Sequence, residues 1–314
     1  MVSFIGHKQS AGNMKKEGNK AEKPSNIFGP VLSVYGLPVD RNIIFSNHKQ
    51  VYRKKIEKRQ RKLLAKISFL KFFLHHDETI LMLTTGYSQI KFWEQLLTFP
   101  TFLFFKKAIF VFTTKRLFLI PASFKYDYRQ TQLQIPYADC HSMAIKGRAL
   151  VMDCKDGERK VFHYIGSLEL KKLRHLIRHL PIMEGIKPEI AIRHLCPSCS
   201  NILPFDNKQC SKCNLKFKDQ YHAIFKAVLL PGGGFFYSRH PVYGTMMGII
   251  EILMIGAIAF ASLALSKDFS HTNLVLLLLI AMALVSIKVI NAYHAGILVE
   301  HPIPEQKEFD RRKI

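Results

Sequence analysis

Two long apolar runs near the C-terminus dominate the hydrophobic pattern of the chain. The first extends from Tyr243 to Leu265 and contains one charged residue, Glu251; the second extends from Leu274 to Tyr293 and contains one, Lys288. Each run approaches the roughly 20 residues that a helix needs to cross the hydrocarbon core of a bilayer. The pattern therefore predicts a membrane hairpin with helices at about 243–265 and 274–294. A buried helix pair in a soluble domain is the alternative.

The two charged residues occupy similar positions in the predicted hairpin. Glu251 lies about ten residues from Pro241, and Lys288 lies about nine residues from Ile297. Antiparallel helices would place both side chains at one depth, so we predict an intramembrane ion pair that lowers the cost of charge in hydrocarbon. Alternatively, each side chain reaches the interface independently or faces another subunit.

The first part of the chain changes from irregular to helical. Residues 1–46 are rich in Lys, Gly, Asn and Ser without sustained periodicity, which predicts a disordered basic arm. Residues 47–76 predict a basic amphipathic helix, with an apolar stripe following Arg53, Lys54 and Lys55. We favour contact between this helix and an anionic membrane. A solvated face on a packed helix and binding to nucleic-acid phosphates are the alternatives.

Residues 77–182 have the pattern of a small β domain. Short runs of β-branched and aromatic residues are followed by a helical pattern that starts at Ser167. The run F-V-F-T-T-K-R-L-F-L-I, from Phe110 to Ile120, resembles the second hairpin of bacterial pleckstrin-homology-like and GRAM domains. The resemblance implies a β-sandwich or barrel that ends in a C-terminal helix. Domains of this kind bind lipid head groups in some members and proteins in others. We predict anion contact by Lys115 and Arg116 at the hairpin turn, or exposure of both for solubility alone.

An aromatic insert interrupts the β pattern. It contains the only tryptophan of the chain, Trp93, and ends in Lys106 and Lys107. It is too short to span a bilayer, and its aromatic and basic residues suit an element at the membrane interface. A loop folded over the domain core is the alternative.

Four of the six cysteines form two C-x-x-C pairs, Cys196 with Cys199 and Cys210 with Cys213. Two such turns can present four thiolates to one Zn²⁺ ion and leave no position open for water. The segment 190–219 resembles the zinc-ribbon family, which implies a structural zinc site; free thiols are the alternative. The exposed lysines of this module suit contact with a protein or a nucleic acid. Cys140 and Cys154 stand apart from these pairs.

The distribution of charge predicts an orientation for the hairpin. The chain has 46 basic and 23 acidic residues, and its formal net charge of +23 is concentrated upstream of the apolar runs. The loop between the runs carries only Lys267 and Asp268, so the positive-inside bias places both termini in the cytoplasm, including a tail at 299–314. In a bacterium, the expected location is the inner membrane. The N-terminus lacks the apolar core of a signal peptide.

The segment before the first apolar run contains a glycine cluster. The sequence P-G-G-G-F-F-Y-S-R, starting at Pro231, resembles the signature of the two-transmembrane, or TM2-like, family. This resemblance implies a membrane domain over residues 220–298 but no defined activity. The cluster lacks the G-K-[ST] ending of a phosphate-binding loop and is interpreted as a bend between closely packed helices.

Together these patterns predict an α+β multidomain membrane protein. It would contain a pleckstrin-homology-like domain, a small zinc ribbon and an α-helical transmembrane hairpin. Nothing in the sequence forms a recognisable catalytic motif, so we expect a non-enzymatic binding or scaffold protein that contacts anionic lipid, an unidentified protein or a second copy of itself. The alternatives are a membrane-tethered nucleic-acid-binding or regulatory protein and a subunit of a transport or membrane-remodelling assembly.

Overall fold

The computed structural model describes residues 29–88, 105–123, 125–129, 131–182, 193–204, 208–267, 269–299 and 301–305. Most of the aromatic insert, including Trp93, lies outside these residues. Within them the chain is α+β, with a β-sheet body followed by two long apolar helices.

The described strands form two sheets. The strands of the larger sheet are β1 (Val31–Val34), β2 (Leu37–Asp40), β3 (Ile80–Tyr87), β4 (Lys107–Thr113), β5 (Arg116–Pro121), β6 (Gln132–Pro136), β10 (Arg193–Leu195) and β11 (Ile202–Leu203). They lie side by side in this order, with antiparallel neighbours except for β2 and β3, which are parallel. The smaller sheet is an antiparallel meander of β7 (Cys140–Lys146), β8 (Ala149–Cys154) and β9 (Arg159–Phe162).

The α-helices of the described residues are short in the sheet body and long at the C-terminus. In chain order they are α1 (Arg41–Ile44), α2 (Lys54–Lys66), α3 (Ser167–Leu176), α4 (Gln220–Leu229), α5 (Gly233–Tyr237), α6 (Pro241–Lys267) and α7 (His271–Val299). Single 3-10 turns occur at Ser68–Phe72, Tyr137–Asp139 and Ile177–His179.

The larger sheet is covered on both faces. Along β4, Phe110 and Phe112 point into a core shared with β7–β9 and α3, whereas Ile109 and Val111 point into a core shared with α2 and the β1–β2 hairpin. This alternation follows from the two-residue repeat of a strand. Because both faces are buried, β4 is a continuous apolar run in the sequence.

The predicted disorder of residues 1–46 is wrong for the described part of that segment. Tyr35 and Gly36 adopt positive φ angles of 54° and 77°, and they join β1 and β2 as a two-residue hairpin turn. Leu37 and Val39 are fully buried against the other elements of the sheet body. The apolar positions are too few to give a sustained sequence pattern, but they complete an existing core.

The apolar stripe of α2 packs against the sheet body. Leu63 and Leu64 belong to the core that also contains β3, and Gln60 Nε2 donates to the Leu83 carbonyl at 2.9 Å. The stripe is therefore not available to a membrane, and the helix is part of the same unit as residues 77–182. Its basic face remains exposed.

The cysteine-rich segment also joins this unit. Strand β10, which precedes Cys196, pairs with β6 and extends the larger sheet. At its other end, Phe217 forms a bridge with Pro304, and Lys218 N donates to the Ile303 carbonyl at 2.8 Å. The segment thus connects the sheet body to the chain that follows α7.

Helices α6 and α7 are long and apolar enough to cross a membrane. They contain 27 and 29 residues, with mean hydropathies of 2.3 and 2.6 in their most apolar parts. Only 17% of this part of α6 and 0% of this part of α7 is buried. A core helix of a soluble protein would bury most of these side chains.

Candidate metal centre and buried polar cluster

The two C-x-x-C turns have the same backbone structure. In the first, Cys196 N donates to the Asn201 carbonyl at 2.8 Å and Ser200 N donates to the Cys196 carbonyl at 3.0 Å. In the second, Cys210 N donates to the Leu215 carbonyl and Asn214 N to the Cys210 carbonyl, both at 2.9 Å. The equivalent residues Ser200 and Asn214 have φ angles of 61° and 57°. The two turns are therefore matched knuckles that present their thiols to one point.

The four thiols of these knuckles form one cluster. All four Sγ atoms lie within 4.8 Å of one another, with separations of 3.5 Å between Cys196 and Cys213 and 3.6 Å between Cys199 and Cys210. Burial raises the pKa of the Cys196 thiol. Burial opposes ionisation of Cys213, but hydrogen bonds from the Leu215 backbone and from neighbouring side chains lower its pKa to about 7. This arrangement is compatible with a structural metal ion held by four thiolates.

A second polar cluster lies between the apolar helices. Glu251 is fully buried, and its Oε2 atom lies 2.8 Å from Lys288 Nζ. Asn291 Nδ2 donates to Glu251 Oε1 at 2.6 Å, and the amide N–H of Gly232 donates to Oε2 at 3.2 Å. Lys288 Nζ also donates to the Ala227 carbonyl at 3.1 Å. The structure thus brings together the two charged residues of the apolar runs and adds a backbone turn to their contacts.

That turn requires glycine. Gly232 has a φ angle of 66°, and a Cβ atom there would lie 2.1 Å from the Gly244 carbonyl oxygen. A Cβ atom on Gly234 would lie 2.6 Å from the Cβ atoms of Ala227 and Ala295. The glycine cluster is therefore a close-packing turn between α4 and α5 that lies directly against α6.

The contact between the glycine turn and Glu251 was not predicted from the sequence. A signal was present, because Gly244, Gly248 and Glu251 recur at helical spacing on one face of α6. Two glycines followed by a carboxylate on one helix face indicate a groove in which the backbone of another segment can pack.

Arg116 is buried, whereas the prediction of anion binding requires an exposed guanidinium group. Its guanidinium donates to both carboxylate oxygens of Glu78, at 3.0 and 2.7 Å, and to the Phe73 carbonyl at 2.8 Å. It also contacts Gln134 Oε1 and is 7% exposed. Arg116 is therefore a structural residue of the sheet, and its assignment as an anion contact is wrong. Lys115 is exposed and forms an ion pair with Asp77 at 2.5 Å.

The remaining predicted contact residues have different environments. Arg53, Lys54 and Lys55 are exposed at the start of α2. Lys106 and Lys107 are half-buried, and Lys107 Nζ lies 3.9 Å from the centroid of the Tyr126 ring. Trp93 lies outside the described residues. Of these residues, the three at the start of α2 form the exposed basic surface.

Cys140 and Cys154, which stand apart in the sequence, lie opposite each other in β7 and β8. Both are buried, and a hydrogen bond between the two thiols raises the pKa of Cys140 and lowers that of Cys154. They lie in the smaller sheet, whereas the four clustered cysteines follow β10.

Comparisons with known proteins do not place the chain in a family. No protein-family model, no curated protein and no solved structure matches it.

Proposed function

We propose that this chain is a non-enzymatic integral membrane protein that presents a binding surface at the cytoplasmic face of a bilayer. Helices α6 and α7 anchor it, and the sheet body acts as a pleckstrin-homology-like scaffold module. A zinc ribbon connects the two. The partners that fit the exposed surface are anionic lipid head groups or an acidic protein.

The anchor is supported by the exposure of the apolar helices. Large side chains such as Phe260 and Val289 are 76% and 63% exposed, although the helices are strongly apolar. Such a surface is stable when lipid covers it. The concentration of basic residues on the segments outside these helices favours a cytoplasmic location for both ends.

Zinc is supported by the ligand set and its spacing. Four ligands at about 2.3 Å in a tetrahedron lie about 3.8 Å apart, close to the sulfur separations of 3.5 and 3.6 Å. Cysteine thiolates in paired C-x-x-C turns are a common set for structural zinc. Such an ion would stabilise a segment that has few core residues of its own.

The order of the strands supports the pleckstrin-homology-like assignment. Four consecutive antiparallel strands, β3 to β6, are followed by the three strands β7 to β9 and then by α3. Residues Leu170 and Leu173 of α3 pack into the core between the two sheets. This succession agrees with a small sandwich that a C-terminal helix closes.

The observation that carries the proposal is the connection between a basic surface and the anchor. Arg53, Lys54 and Lys55 are exposed at the start of α2, whose apolar face is fixed to the sheet. The sheet continues through β10 into the cysteine-rich segment, in which Phe217 is bridged to Pro304 after α7. A charged surface held in this way can engage an anionic partner while the protein stays in the membrane.

The test uses the full-length protein in neutral nanodiscs and measures capture of neutral or anionic vesicles over a salt series. We expect capture of anionic vesicles only, with loss at high salt. Reversal of Arg53, Lys54 and Lys55 to Glu should abolish capture. Reversal of Lys146 and Arg148, which are exposed at the β7–β8 turn, is the control and should retain most of it.

Failure of the protein to capture anionic vesicles would contradict the lipid-binding part of the proposal. Equal loss in both charge-reversal variants would show that net charge, and not the α2 surface, is responsible. Binding of the same nanodiscs to DNA or RNA, with a steep salt dependence, would support the nucleic-acid alternative.

A further inference from the structure

Helix α4 has an apolar surface that the described residues of the chain leave exposed. Tyr221, Phe225, Val228 and Leu229 are 78%, 63%, 57% and 64% exposed. The buried side of the same helix consists of the small residues Ala223 and Ala227, which pack with Ala295 of α7. The helix therefore presents its large apolar side chains outwards and its small ones inwards.

The polarity of α4 changes along its axis. Gln220 and His222 lie in its first turn, after Lys218 and Asp219, whereas Val228 and Leu229 are exposed at its end. The one charged residue of the last turn, Lys226, holds its ammonium group 4.4 Å from the centroid of the Tyr237 ring. A helix that lies in the plane of the membrane interface carries a polar face along its whole length. A gradient along the axis instead fits a helix whose end points into an apolar medium.

Contacts with α7 fix the direction of α4. A Cβ atom on Gly296 would lie 3.2 Å from Gln220 Nε2, so the start of α4 is beside the end of α7. The end of α4 lies beside Lys288, eight residues before Gly296 in α7, because the Ala227 carbonyl accepts a hydrogen bond from Lys288 Nζ at 3.1 Å. Helix α4 thus runs antiparallel to α7 and α5 leads back to the start of α6 at Pro241.

The turn between α4 and α5 lies beside the interior of α6. Gly232 packs against Gly244 and Gly248 and donates to Glu251, which is ten residues after Pro241, or about 15 Å along a helix. If the central part of α6, about 30 Å of its roughly 40 Å, lies in hydrocarbon, the boundary is about 5 Å from Pro241. Gly232 packs between the levels of Gly244 and Gly248, about 5 and 10 Å from Pro241, so the turn extends up to about 5 Å below that boundary.

The polar groups of the turn have protein partners. Gly232 N donates to Glu251, Gly233 N donates to the Leu230 carbonyl at 2.9 Å, and the Leu230 carbonyl also accepts from Lys288 at 3.5 Å. Pro231 has no N–H to satisfy. Non-helical backbone is tolerated at membrane depth when protein groups satisfy it in this way.

We propose that α4 and α5 form a re-entrant hairpin that inserts into the cytoplasmic leaflet beside α6 and α7, with lipid acyl chains covering the exposed face of α4. This inference rests on the proposed membrane anchor. The exposed face of α4 is continuous with the exposed apolar surfaces of the two long helices. Tyr237 lies beside Lys218 and Asp219, at the polar end of α4. An aromatic residue at this position fits the interfacial belt of a membrane protein.

The test places single tryptophans in the full-length protein with Trp93→Phe as background, since Trp93 is the only native tryptophan. Leu229→Trp reports on the end of α4, Tyr221→Trp reports on its start, and Val289→Trp marks the same level on α7. In proteoliposomes, we expect lipids brominated on their acyl chains to quench Leu229→Trp and Val289→Trp alike. Aqueous iodide should quench Tyr221→Trp more than the other two.

Quenching of Leu229→Trp by iodide but of Val289→Trp by brominated lipid would overturn the re-entrant hairpin and leave the anchor intact. Quenching of both by iodide, without an effect of brominated lipid, would overturn the anchor as well. Each variant must elute like the background protein and carry the same metal content, so that a misfolded sample is not scored.

Discussion

Lys288 Nζ lies 2.8 Å from Glu251 Oε2, and backbone groups next to the glycine cluster contact both members of this ion pair. The Gly232 N–H donates to the carboxylate, while the carbonyls of Ala227 and Leu230 accept from the ammonium. The surroundings are therefore polarised, with a donor at the position of negative charge and acceptors at the position of positive charge. The two charges are not interchangeable.

Exchange of these charges should restore only part of the stability that a single reversal removes. Glu251→Lys or Lys288→Glu leaves like charges together, and breaking a buried pair costs about 3–5 kcal/mol. The double exchange recreates the pair but places a carboxylate against two carbonyls. Thermal unfolding in one detergent measures this, and the double variant should melt between the wild type and the single variants. Lys267→Glu, at the exposed end of α6, is the control. Full recovery in the double variant would show that the surrounding backbone has no preference.

Gly232→Ala should destabilise the protein, whereas Gly256→Ala should not. Alanine at position 232 would adopt a φ of 66° and meet the Gly244 carbonyl at 2.1 Å. Left-handed strain and overpacking together cost at least about 2 kcal/mol. Gly256 is in the middle of α6 with nothing within 4 Å of its Cβ position, so alanine there should add up to about 1 kcal/mol of helix stability. Equal melting temperatures for the two variants would contradict the close packing of the turn.

The ion pair between α6 and α7 could be anticipated because a regular antiparallel hairpin converts residue counts into depth. The contact with Gly232 could not, because the direction of a chain after a glycine turn depends on tertiary packing. The environment of Arg116 also depends on tertiary packing and could not be predicted from the sequence. Its position at a β turn predicts exposure, but Glu78 lies 38 residues earlier and reaches it only after β3 and β4 pair. The stripe of α2 was visible in the sequence, whereas the surface that covers it was not.

Metal removal should unfold the cysteine-rich segment and weaken its connection to the helices. We expect one metal ion per chain, and Cys199→Ser or Cys210→Ser should abolish stoichiometric binding because each removes a thiolate from the cluster. Metal analysis of the purified protein, together with its melting temperature after chelation, checks this. Cys140→Ser and Cys154→Ser are matched controls in the smaller sheet and should retain the metal. Full metal content in the Cys199 or Cys210 variant would contradict a four-thiolate site.

Glu78 should make the stability of the sheet body depend on pH. Burial alone would raise the pKa of its carboxyl group, but hydrogen bonds from Arg116 and Thr113 outweigh burial and hold the pKa below its usual value of 4.5. A carboxylate whose pKa is lowered by folding stabilises the protein above its unfolded pKa. This contribution decreases as pH falls through the folded pKa.

Glu78→Gln therefore should cost most at neutral pH, by about 3–5 kcal/mol, because it leaves the buried Arg116 without its counter-charge. As pH falls from about 4.5 through the lowered pKa of the folded carboxyl group, the wild-type protein loses the contribution of this charge, so the difference in unfolding free energy between the two proteins should decrease. Denaturant unfolding of both proteins across the acidic range measures this difference. Asp77→Asn is the control, because Asp77 pairs with Lys115 at the surface and water screens that interaction. A difference for Glu78→Gln that stays constant with pH would mean that its charge does not stabilise the fold.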